Sequence, residues 1–154
     1  MPRGVATNPR VRFRVRTWAG RGHRIGAIQG LLWGLGGYLA FQLAPAMGLA
    51  PELPGTIAAE LGLRQVWWWT TVICTAGGLA LLAYARHWAL FGVAGALLAL
   101  PHVIGAPVPD AFWGVAPTEL GALFSARVLG VGFAAWALLG WFAGAVWDRE
   151  ARSA

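Results

Sequence analysis

Glu52, His102 and Asp110 are the side chains in this sequence best suited to holding a ligand, and all three belong to proline-bracketed turns. The first turn reads Pro45-Ala46-Met47-Gly48-Leu49-Ala50-Pro51 and runs into Glu52-Leu53-Pro54-Gly55. The second reads Pro101-His102-Val103-Ile104-Gly105-Ala106-Pro107 and runs into Val108-Pro109-Asp110. Imidazole together with carboxylate is a suitable donor set for a borderline divalent metal such as cobalt, nickel or zinc. The competing structural reading is a helix-end histidine satisfied by a neighbouring carbonyl or by Glu52. Catalysis is not indicated: no nucleophile motif, phosphate loop or paired metal-binding histidines are present. The lone Cys74 excludes an intramolecular disulfide and reads as a buried structural thiol.

The elements that hold these residues are apolar helices. Of the 154 residues, 58% are hydrophobic and 12% charged, about half the usual charged share of a globular domain. Four stretches with little or no charge, at about 25–49, 66–85, 88–104 and 123–147, are long enough to cross a bilayer as helices; the third only just reaches the lower limit. Helices satisfy their own backbone in lipid, so the predicted fold is all-α and polytopic, with four transmembrane helices. Proline lacks an N–H and turns its predecessor away from helical geometry, so helix breaks are expected at Pro45, Pro51, Pro54, Pro101 and Pro107.

Charge sets the orientation. Lysine is absent, and seven of the twelve arginines (Arg3, Arg10, Arg12, Arg14, Arg16, Arg21 and Arg24) precede the first apolar run. This is the basic flexible arm, 1–24, of a cytoplasmic N-terminus facing anionic headgroups, rather than a nucleic-acid-binding segment. Its apolar continuation is too long for a cleaved leader. Arg86 and His87 fall between the second and third runs, whereas Glu52, Glu60, Asp110 and Glu119 fall in the alternate loops. The positive-inside rule therefore predicts N-in, C-in, with 149–154 as a cytoplasmic tail and both proline turns on the outer side. Trp67, Trp68 and Trp69 on the outer side, and Trp88 and Trp147 on the inner, read as headgroup-level anchors.

Gly26, Gly30 and Gly34 repeat a GxxxG spacing in the first run, and Gly140 with Gly144 repeats it in the last. Such positions let helix backbones approach closely in lipid, within the chain or with a partner copy. The two halves also look alike: apolar helix, proline turn, a Glu-Leu-Gly stretch (Glu60-Leu61-Gly62 and Glu119-Leu120-Gly121), then another helix. Parallel repeats of this kind place substrate between the repeats of some transporters. The spans themselves carry no midplane carboxylate. Arg127 lies near an outer end, and Gln42, Thr70, Thr71 and Thr75 are the remaining polar groups.

Several runs resemble one family. Gly30-Leu31-Leu32-Trp33-Gly34-Leu35-Gly36-Gly37, Leu43-Ala44-Pro45-Ala46-Met47-Gly48-Leu49, Pro51-Glu52-Leu53-Pro54-Gly55, Arg64-Gln65-Val66-Trp67-Trp68 and Pro101-His102-Val103-Ile104-Gly105-Ala106-Pro107 are similar to the CbtA family, from about Gly30 to Trp147. The resemblance implies a bacterial inner-membrane subunit of a cobalt importer, multi-pass, working with a small single-span CbtB subunit and linked to cobalamin supply. No permanently bound cofactor is implied; cobalt is the cargo. Members of the family carry further hydrophobic sequence and a histidine-bearing outer loop ahead of the Gly30 region, where this chain has its arginine-rich arm. The resemblance thus implies a shortened form, or one that borrows helices from a partner. Glu52 and His102 are the matching ligand-type residues, expected to gather a partly hydrated ion at the outer face while Asp110 adds negative potential. The alternative expectation is a non-transporting assembly subunit that packs through its GxxxG helices.

Overall fold

The computed structural model describes residues 25–153; the basic arm expected at 1–24 lies outside them. The described chain is helical, with no strand beyond one isolated bridge between Thr56 and Gly114. Helix α1 spans Ala27–Tyr38, continues without a break through a π-helical turn at Leu39–Leu43, and ends as the short α2, Ala44–Ala46. Helices α3 (Leu61–Tyr84), α4 (Trp88–Ile104) and α5 (Thr118–Ser153) come next. Both α3 and α5 are long and apolar enough to cross a membrane, and α4 is a shorter apolar helix.

Helix boundaries differ from the hydropathy boundaries for a definable reason. The α3 helix starts at Leu61 rather than Val66 because Glu60 caps it: its two carboxylate oxygens accept from the amides of Gly62 and Leu63, each at 2.8 Å. Those are orphan donors of a first helical turn. Hydropathy marks where a helix becomes apolar, so it leaves Arg64 and Gln65 in a loop although they are helical. The last helix likewise overruns its apolar core at both ends, and the segment expected as a tail stays helical to Ser153, where Arg152 pairs with Asp148 one turn back.

Two of the expected breaks fall elsewhere. Pro101 lies inside α4, which continues to Ile104, and Pro45 lies inside α2. Each is buried within the last helical turns, where losing one N–H to the preceding turn does not stop the helix. The stop after α4 is Gly105, whose φ of 87° suits glycine rather than a residue with a side chain. Pro51, Pro54 and Pro107 are in non-helical chain as expected. Pro54-Gly55 makes the tip of a turn closed by the Thr56 amide on the Leu53 carbonyl at 3.3 Å, with Gly55 at φ 90°.

The helices form two pairs. Helix α1 packs along α5, and α3 packs along α4; the pairs meet where the π turn and α2 lie against α3. Gly30, Gly34, Gly140 and Gly144 make the first seam. A methyl group added to Gly30 would lie 2.7 Å from the Gly144 Cα, and one added to Gly140 would lie 2.7 Å from the Gly34 Cα. Backbone cannot move aside as a side chain can, so only glycine fits. Gly26 plays a different part: it is the N-cap of α1, and a side chain there would meet nothing.

Candidate functional site

The two proline turns converge on one side chain, Trp67. Its indole Nε1 donates to the Pro101 carbonyl at 3.1 Å, and its ring stands edge-on to the His102 imidazole with centroids 6.1 Å apart. From the first turn, Gly48 lies so close that an added methyl would sit 2.7 Å from the Trp67 Cζ2 and 2.8 Å from the Ala106 Cβ of the second. Of the three consecutive tryptophans among the expected headgroup anchors, Trp67 is therefore buried at 7% exposure, with its N–H committed inside the protein. Trp69 is the exposed one, and Trp68 faces Phe41. Nothing in a Trp-Trp-Trp run distinguishes the inward ring; helical phase relative to Thr71 and Thr75, both buried, is the signal that would have found it.

Further bonds tie the turns to the rest of the molecule. Ser125 of α5 donates to the Pro51 carbonyl at 2.6 Å, and the Ile57 amide donates to the Trp113 carbonyl at 3.0 Å. The π turn has an evident use. It places Gln42 over Gly132, where a Cβ would collide with the Gln42 amide, so that Gln42 Nε2 donates to the Val128 carbonyl at 3.0 Å. One turn earlier, the Tyr38 hydroxyl donates to the Leu129 carbonyl at 3.1 Å. A π turn inserts one residue and so shifts the helical phase of every later position, and such turns recur at functional sites. Thr70 and Thr71 hydroxyls bond their own helix carbonyls; the buried Thr75 hydroxyl has no partner among the described residues.

The three residues expected to hold a metal are placed separately. Glu52 faces Arg64 of α3, with Oε2 and Nη2 3.3 Å apart. His102 lies in the last turn of α4 against Trp67, and Asp110 is exposed in the loop beyond it. Among the described residues no three His, Cys, Asp or Glu side chains come together around a common point. The Glu52–Arg64 pair has no signal in the sequence, because the two are joined by loop and share no helical phase. The pair borders an open pocket of about 610 Å³ between α2 and the first turns of α3. Phe41, Trp68 and Trp69 form its aromatic wall, and Gln42 and Gln65 add amides. Glu60, outside the pocket, has its carboxyl held below the usual range by the two backbone amides it accepts from.

The family model described as "Probable cobalt transporter subunit (CbtA)" matches residues 13–148. The chain belongs to the CbtA family. The match starts within the arginine-rich arm, ahead of the Gly30 region, and takes in both proline turns, Trp67 and the Glu52–Arg64 pair. No curated protein and no solved structure matches this CbtA-family chain. Membership carries a transporter-subunit role, and with it partner subunits and a membrane setting that the apolar helices fit.

Proposed function

We propose that this chain is the multi-pass subunit of a bacterial inner-membrane importer for a divalent metal, cobalt being the cargo. The observation that carries the reading is the family match over most of the chain. The chain would cross the bilayer four times, N-in and C-in, counting the helical run from Ala27 to Ala46 and the shorter α4 as crossings alongside α3 and α5. The first run covers roughly 30 Å at 1.5 Å per residue, enough for a hydrocarbon core.

On this reading the ion is gathered at the outer face from Glu52 and His102, with Asp110 adding negative potential. The separation of these groups means that capture uses them in turn, with water completing the shell, rather than as a closed cage. Arg64 pairs with one oxygen of Glu52, so a cation competes with it for the carboxylate. A small single-span CbtB-like subunit, or a second copy, would supply whatever further ligands a path through the membrane needs, and the link to cobalamin supply comes with the cargo.

A second reading has its own support: the glycine seam between α1 and α5 and the lack of charge deep in the spans suit a non-transporting assembly subunit. Cobalt binding by the purified chain separates the two. Transport predicts binding that weakens in Glu52→Gln and in His102→Ala; binding unchanged by both together contradicts the site.

A further inference from the structure

The pocket beside α2 has a polarity gradient that runs along the helices. Glu52, Arg64 and Gln65 lie at its loop end; Phe41, Trp68 and Trp69 lie a helical turn deeper. Arg64 and Trp68, and likewise Gln65 and Trp69, are four residues apart, so each pair stacks on one face of α3. At the loop end the two charges are of opposite sign and neither is saturated. Arg64 meets Glu52 through one nitrogen of its five-donor fork, and Glu52 Oε1 accepts no hydrogen bond among the described residues. Both side chains keep about a third of their surface exposed.

We propose that this pocket is a binding site for a zwitterionic phospholipid whose headgroup joins a phosphate to a primary ammonium. The phosphate lies on the Arg64 fork, which matches its geometry. The ammonium donates to Glu52, and the glycerol and first acyl carbons lie on Phe41 and Trp68. The carboxylate makes an anionic headgroup a poor occupant, and the guanidinium does the same for a cationic one. A quaternary ammonium has no N–H to give Glu52. Pockets between membrane helices are a recurrent place for headgroup recognition, and this one is open to the outside of the protein. The proposal needs the chain to be embedded in lipid, as its family and helices indicate, and does not need it to carry cobalt.

The full-length chain, purified in detergent and stripped of lipid, is titrated with phosphatidylethanolamine, phosphatidylcholine and phosphatidylglycerol of identical acyl chains. Free phosphoethanolamine is the fourth arm, and native mass spectrometry reads binding. The expected result is phosphatidylethanolamine ahead of the other two lipids by about tenfold, the size of one charge-assisted hydrogen bond. Free phosphoethanolamine should bind at least about tenfold more weakly than the lipid, because the aromatic wall goes uncovered. Arg64→Met and Glu52→Gln should each abolish the headgroup preference, and Arg64→Lys, which keeps the charge but not the fork, should reduce it. Helical content by circular dichroism identifies any variant that has not folded, and the remaining two then carry the test. Equal binding of the three lipids, a preference that survives in the folded variants, or phosphoethanolamine binding as tightly as the lipid overturns the proposal.

Discussion

Arg64 neutralises one oxygen of Glu52. A divalent ion competes with this tethered guanidinium, so removing it frees the whole carboxylate. Because both groups are partly exposed, the pair is worth little, within about 1 kcal/mol. Arg64→Met is therefore expected to tighten cobalt binding by up to about fivefold, read by isothermal titration, whereas Glu52→Gln weakens it; an unchanged Arg64→Met affinity would show that the ion does not use Glu52. The same Arg64→Met change is expected to weaken lipid binding, so the two effects have opposite signs. Glu60 gives a pH prediction. Its folded-state carboxyl titrates below the ordinary value of 4.5, so it stabilises the fold above that value and the contribution disappears as pH falls through the lowered one. Glu60→Gln should thus melt below the unchanged chain at pH 7, and the gap should close on acidification beneath pH 4.5; a gap constant with pH would contradict the capping role. The candidate residues were legible singly, since a proline-flanked histidine and glutamate stand out in an apolar chain. Their partners were not: Glu52 with Arg64, and His102 with Trp67, are contacts between separate elements and carry no periodic signal.

At the scale of elements, the glycine seam and the π turn make complementary demands. Gly30→Val places carbon against the Gly144 backbone, and overpacking of this kind costs about 1–3 kcal/mol. Gly36→Ala and Gly92→Ala, where an added methyl meets nothing, should leave stability nearly unchanged. Thermal unfolding in detergent makes the comparison, and equal losses at all three positions would refute the seam. Gly132→Ala should likewise destabilise by driving out the Gln42 amide, which bonds the Val128 carbonyl. In the Gln42→Ala background that penalty should shrink, since the colliding group is gone; additive losses would mean that Gln42 and Gly132 are independent. Helical character was legible from the apolar runs, and α4 spans Trp88–Ile104. The π turn was not legible, because its cause is an amide on one helix meeting a glycine on another. Proline also misled at Pro45 and Pro101, where position within the last turn, rather than residue type, decides whether a helix stops.

For the whole molecule, the α1–α5 and α3–α4 pairs are joined at one end, by the π turn, α2 and the convergence of both proline turns on Trp67. That end holds Glu52, His102 and the pocket, so whatever the chain binds there bears on how the two pairs sit against each other. The sequence repeat made the turns comparable, yet only the folded chain shows them meeting. Trp67→Phe would keep an aromatic ring but lose both the bond to the Pro101 carbonyl and the ring atoms packed against Gly48, so we expect a loss of more than about 1 kcal/mol together with weaker cobalt binding through a displaced His102. Unchanged stability and binding would contradict a role for Trp67 in holding the turns. The central claim, that this CbtA-family chain is part of a cobalt import route, is tested most directly by uptake of radioactive cobalt in cells with the intact gene, without it, and with Glu52→Gln and His102→Ala combined. Uptake that depends on the gene, yields less to excess nickel than to excess cobalt, and falls in the double variant is the predicted result. Uptake indifferent to the gene would contradict it.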